Sequence, residues 1–265
     1  MFVGFNAHIT EQVCFSPYFK DFGQSLFNEQ KSTVHSSLSS YALDDGILDA
    51  ARIEEDWFPS IDADVFISHS HKDRELAIGL AGWLHELFGI SSFIDSCVWG
   101  YADDLLKQID RNYCVNKRKS DGSVDTYDYI KRNQSTAHVH MILNTALQKM
   151  IDKTECLIFL NTPNSLLIDN VIDRSATASP WIYSELTFSR LCRKRKLSEY
   201  RRHLAHDSMY EFAQLNVKYD VSLSHLVDLS DKDLLQIWMY SRKKKPQEVL
   251  DDLYSHLGLI EAGER

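Results

Sequence analysis

Ten residues, DVFISHSHKD over 64–73, constrain this chain more than any other stretch. Val65, Phe66 and Ile67 form a short apolar run of strand-forming residues, while Ser68, His69, Ser70, His71, Lys72 and Asp73 crowd donors and charges at its carboxyl end. A helix over about 73–88 follows. A buried strand that ends in a polar turn and opens a helix is the unit from which parallel α/β sheets are wound, and phosphate-bearing ligands settle at such junctions. A serine or aspartate at a helix start also serves as a plain N-cap. The rest of the chain has to decide between the two.

The alternation continues. A strand over 91–94 ends at Asp95, 102–109 reads as a helix, and 111–134 breaks into charged and turn-prone residues, KRKSDGSVD among them, as a surface insertion does. Ile142, Ala146, Met150 and Ile151 fall on one side of a helix over 138–151. CLIFL at 156–160 is a second buried strand, and it too runs into a polar turn, NTPNS at 161–165. Ser179 as N-cap and Pro180 at the first helical position begin a helix to about residue 193. A strand near 224–229, a short helix after Ser230 and a helix over about 247–257 complete the pattern. Strands alternating with helices predict an α/β fold, a parallel sheet with helices on both faces, and a site at the carboxyl ends of its strands. The turns 68–73, 95–103 and 161–165 should open on that edge.

Residues 1–61 contain Phe2, Phe5, Phe15, Tyr18, Phe19, Phe22 and Phe27 together with a serine-rich stretch at 36–40. That many large apolar groups predicts an ordered N-terminal extension packed on a domain spanning 62–265. The apolar fraction of 44 % suits a globular protein, and no apolar run reaches the length of a membrane span. The N-terminus lacks a basic region before an apolar one, so no signal peptide is expected. Five cysteines, Cys14, Cys97, Cys114, Cys156 and Cys192, are scattered and form no CxxC pair, which fits a reducing cytoplasm. A net charge of −9 argues against direct nucleic-acid binding, although RKRK at 193–196 and RKKK at 242–245 are local basic runs. Such runs mostly keep helix ends solvated.

Four motifs, DVFISHSHKD, FIDSCVWGYADDLL, ECLIFLNTPNSL and SPWIYSEL, occur in the order and approximate spacing of a Toll/interleukin-1 receptor (TIR) domain of the bacterial type, which the chain resembles from residue 64 to about 257. The resemblance implies a flavodoxin-like fold. It also implies one of two functions. Bacterial and plant members cleave NAD at the nicotinamide glycosidic bond, giving ADP-ribose or a cyclic or ribosylated nucleotide signal, in some cases within antiphage defence systems such as Thoeris. Other members are non-catalytic and act by TIR–TIR assembly or as nucleotide sensors. The expectation is a prokaryotic innate-immunity protein that uses NAD as substrate, needs no cofactor, self-assembles, and works with an effector or sensor protein.

Loss of nicotinamide leaves an oxocarbenium-like ribose, so the reaction needs a carboxylate near the ribose hydroxyls and an aromatic wall for the leaving ring. In the catalytic family that carboxylate is a Glu shortly after a Gly, at the start of the helix after the second strand's loop. The matching residues here are Trp99, Gly100 and, three residues on, Asp103, with Asp104 as the alternative. Asp in place of Glu departs from the family pattern, and about 1 Å of misplacement costs on the order of a hundredfold in rate. Counting back from CLIFL instead puts Leu143 or Asn144 at that position. Asp103 and Asp104 equally suit a helix N-terminus as favourable charges, and Trp99 equally suits ordinary packing. The resemblance assigns dinucleotide contacts to Ser68, His69, Ser70, His71, Trp99 and Gly100, and structural or assembly roles to Trp181 and Glu185.

Other chemistries lack their motifs. The chain contains no GxSxG elbow, no HExxH, no glycine-rich phosphate loop and no zinc-type cysteine pattern. His138 and His140 are two residues apart and do not share a helix face as an i, i+4 metal pair does, so no metal site is expected.

Overall fold

The computed structural model describes residues 1–9, 16–31, 48–58, 60–169, 174–200, 219–220, 223–241 and 244–260. The elements run β1 (Val3–His8), α1 (Pro17–Lys31), α2 (Ala50–Trp57), β2 (Val65–Ser68), a 3-10 turn (His71–Asp73), α3 (Arg74–Phe88), β3 (Ser92–Ile94) and α4 (Ser96–Tyr113). Then come β4 (Val115–Arg118), β5 (Val124–Tyr127), α5 (Tyr129–Lys153), β6 (Cys156–Leu160), β7 (Leu167–Asp169), β8 (Arg174–Thr177), α6 (Pro180–Leu191), α7 (Leu197–Tyr200), β9 (Tyr219–Asp220), β10 (Val227–Ser230), α8 (Asp231–Tyr240) and α9 (Pro246–His256).

Five strands form the central sheet in the order β10-β1-β6-β2-β3, and every pairing is parallel. The fold is therefore α/β, with a parallel sheet flanked by helices. Val65, Phe66 and Ile67 of β2 and all of CLIFL in β6 are buried, as strands covered on both faces require. Val65, Cys156 and Ile158 meet α3, α8 and α9 through Trp83, Leu84, Leu234, Val249 and Leu250. Phe66, Leu157 and Phe159 point the other way by the two-residue alternation of a strand. The layer made by α2, α4, α5 and α6, which pack on one another, covers that side. With β1 set aside, the strands read 2-1-3-4 across the sheet, the winding of a flavodoxin-like fold.

The strand β1 lies inside this sheet. It pairs with β6 from Val3↔Cys156 to Ala7↔Leu160 and with β10 from Phe5↔Val227 to His8↔Ser230. A boundary at 61/62, expected from the sequence, thus leaves an internal strand of the sheet on the extension's side. A run of consecutive buried residues, Val3 to Ala7, explains its place: a strand apolar on both faces is stable only between two others.

Helix α1 reaches the domain through a backbone contact with α3. A Cβ on Gly23 would lie 2.1 Å from the Ile78 carbonyl oxygen, and one on Gly82 would lie 2.0 Å from that of Phe19. Only glycine permits such an approach. Arg74 covers the Phe27 ring at 4.6 Å, and the Tyr18 hydroxyl donates to Glu86 Oε1 at 2.5 Å, closing the same interface.

Residues 111–134, expected as an irregular insertion, comprise the end of α4, the antiparallel hairpin β4–β5 and the first turn of α5. Gly122, at φ 84°, makes the hairpin turn, and Asp121 accepts from the Ser123 amide and hydroxyl across it. Helix α5 begins at Tyr129, earlier than the expected 138, because Asp128 caps it by accepting from the Lys131 amide. Helix α6 begins as the sequence predicts, with Ser179 accepting from the Ile182 amide and Pro180 in the first turn. Among the described residues, no helix is long and apolar enough to cross a membrane.

Candidate functional site

The carboxyl end of β2 carries Ser68 and His69, both fully buried, with Asp95 after β3 and Glu185 on α6 buried beside them. The Ser68 hydroxyl donates to Glu185 Oε2 at 2.6 Å. His69 Nδ1 lies 2.5 Å from Asp95 Oδ1. Burial, then the charge of Asp95, raises the Glu185 carboxyl well above its ordinary range, against the lowering effect of the Ser68 hydroxyl. The Asp95 side chain at close range acts in the same upward direction.

The same turn is tied to the loop after β6. Asp73 closes the 3-10 turn, with its amide donating to the Ser70 carbonyl at 2.8 Å. Its carboxylate accepts from the Thr162 hydroxyl at 2.5 Å and from Asn164 Nδ2 at 2.7 Å. Ser165 steadies that loop from within by donating to the Leu160 carbonyl and accepting from the Thr162 amide. All four sequence motifs therefore meet at one edge: DVFISHSHKD bonds the second motif through His69–Asp95, the third through Asp73, and the fourth through Ser68–Glu185.

The serines of the first turn are not side-chain caps. Ser68 is engaged with Glu185, and Ser70 stands at the start of the 3-10 turn without a side-chain capping bond. His71 is exposed in that turn. Helix α4 starts at Ser96 rather than 102, so Trp99 and Gly100 sit within its opening turns and not in a loop before it; their side chains fall outside the described residues.

Asp103 and Asp104 lie exposed on α4, and Asp104 pairs with Lys107 at 3.0 Å, one helical turn on. Asp103 acts on His140 of α5. Burial lowers the His140 pKa, and the Asp103 charge opposes that shift. The His140 ring stands edge-on to Trp181 of α6, with centroids 5.4 Å apart. Of the two residues reached by counting back from CLIFL, Leu143 is buried in the core, and Asn144 Oδ1 accepts from the Ser184 hydroxyl at 2.5 Å. The sequence-derived residues thus divide into a buried group around Ser68 and Glu185 and a helical group around Asp103 and Trp181.

Sequence reasoning missed the contributions of β1. Asn6, 8 % exposed, donates from Nδ2 to Asp228 Oδ1 at 3.0 Å and accepts at Oδ1 from Asn161 Nδ2 at 2.9 Å. Its Nδ2 also lies 3.0 Å from His8 Nε2. The signal was available: an apolar run ending in Asn and His has the same form as VFISHS. Among the described residues, no group of three or more His, Cys, Asp or Glu side chains is placed to hold a metal.

Comparison of the chain with protein-family models, with curated proteins and with solved structures returned no match.

Proposed function

We propose that this chain processes NAD at the carboxyl edge of its sheet, cleaving the nicotinamide glycosidic bond to give ADP-ribose or a cyclic or ribosylated nucleotide signal in cytoplasmic antiphage defence. The observation that carries this reading is the convergence of the four TIR-like motifs on one carboxyl edge, three of them through Ser68, His69, Asp95 and Glu185 and the other through Asp73, where α/β folds bind nucleotides.

Glu185 is the carboxyl group best suited to the chemistry. It is buried at the carboxyl edge of the sheet, and its ionised form places a negative charge, little screened by water, against the cation that develops on ribose. Asp103, at the position matched to the family Glu, is exposed on α4, where solvent weakens its field.

A second reading, a TIR-type module that assembles or senses a nucleotide without turnover, is favoured by the burial of the same knot, since Glu185 is only 1 % exposed. Catalysis requires that Glu185 be uncovered to reach substrate. Nicotinamide release from NAD by the purified chain, with and without extract from phage-infected cells, separates the readings. Release that Glu185→Gln abolishes supports the enzyme; release abolished only by Asp103→Ala moves the chemistry to α4. No release under either condition from folded protein leaves the assembly reading.

A further inference from the structure

From β10 to β2 the carboxyl edge spans three strand spacings, roughly 14 Å, and its second polar constellation is built by β1, β6 and β10. Asn6 organises it. A buried asparagine in the middle of an otherwise apolar strand is unfavourable unless its amide is satisfied, and Asn6 is satisfied on both sides. Its oxygen accepts from Asn161, and its two amide hydrogens reach Asp228 and His8. That orientation assigns the His8 proton: with Nε2 accepting from Asn6, a neutral imidazole carries its hydrogen on Nδ1. The two residues so oriented face outward, with His8 55 % and Asp228 84 % exposed, and His8 Nε2 stands 3.9 Å from Asp228 Oδ1.

We propose that His8 and Asp228, aligned by the Asn6 amide, form a subsite for the vicinal diol of a nucleotide ribose. A diol offers two donors and two acceptors on adjacent carbons. The Asp228 carboxylate accepts from one hydroxyl, and the His8 Nδ1–H donates to its neighbour, so a donor and an acceptor are held side by side. A strand-end carboxylate that takes a ribose hydroxyl is a recurrent solution in parallel α/β sheets. Asn161 joins this subsite to the other one, because it begins the loop whose Thr162 and Asn164 hold Asp73. The polar edge is thus continuous from β10 to β2, the form an extended dinucleotide requires. This inference rests on the nucleotide reading above and adds which part of the ligand lies over β1.

The test is equilibrium binding of AMP and of 2′,3′-dideoxy-AMP to the full chain, as wild type, His8→Ala and Asp228→Ala. Each substitution removes one partner of the Asn6 amide, so thermal melts of both variants accompany the titrations and binding is read well below the lower midpoint. The expected result is a preference of about tenfold or more for AMP in the wild type. Asp228→Ala erases that preference, and His8→Ala reduces it. Equal binding of the two probes by the wild type, survival of the preference in both variants, or binding of NAD without AMP overturns the diol subsite and leaves the nucleotide reading standing. A wild type that binds neither AMP nor NAD overturns both.

Discussion

Ser68 and Glu185 are separated by 117 positions in the chain and joined by a hydrogen bond of 2.6 Å in the buried carboxyl edge of the sheet. The bond fixes α6 against the end of β2. It also places a carboxyl group whose pKa burial and the Asp95 charge raise beside Asp95, whose other neighbour is His69. Each consequence of that arrangement can be measured.

Glu185 gives stability a pH dependence of defined sign. Its folded-state pKa is raised above the ordinary glutamate value of 4.5. The contribution is therefore fully present below the unfolded value and is lost as pH rises through the folded one. Thermal melts from pH 5 to pH 8 should show the wild type losing stability relative to Glu185→Gln, which stays neutral throughout. Parallel pH profiles for the two proteins would refute the raised pKa.

The same substitution decides the chemistry. Glutamine keeps an acceptor for Ser68 but cannot ionise, so nicotinamide release should fall by at least two to three orders of magnitude, about the loss when a transition-state charge partner is removed. Asp103→Ala should retain most of the rate. A reversal of these two results would place the charge on α4.

Asp73 should act as the tie between two loops. Replacing it with Ala strands the Thr162 hydroxyl and Asn164 amide and should cost about 1–3 kcal/mol in urea unfolding. If the loops form one nucleotide edge, the KM for NAD rises as well. Unchanged stability would show that the tie contributes nothing.

Gly82→Ala tests how the N-terminal segment is held. The added methyl would fall 2.0 Å from the Phe19 carbonyl oxygen, which belongs to helical backbone and cannot swing away. A loss of about 1–3 kcal/mol or more is expected from such overpacking. Limited proteolysis should then cut within 16–31 sooner than in the wild type. Wild-type stability and protection would mean that α1 is not held by this contact.

Much of the architecture was legible because it rests on local signals. The apolar runs of β2 and β6, the Ser179-Pro180 start of α6 and the alternation of strand and helix each follow from a few adjacent residues. The early starts of α4 and α5 were less legible. Asp128 lies inside a charged stretch that reads as a loop until its cap to Lys131 is seen. The serines after β2 resemble caps, and only the fold shows that Ser68 is turned toward Glu185.

The sequence by itself determined that parallel strands would alternate with helices, and that the polar turns after β2, β3 and β6 would share one edge, since strand direction and two-residue periodicity are local properties. Tertiary structure alone decided that β1 enters the sheet between β6 and β10, that Glu185 rather than an exposed aspartate is the buried acid, and that Asn6 gathers His8, Asn161 and Asp228. Strand order and the proton affinity of a carboxyl group depend on which distant residues become neighbours and on how much water they exclude. No window of adjacent residues contains either quantity.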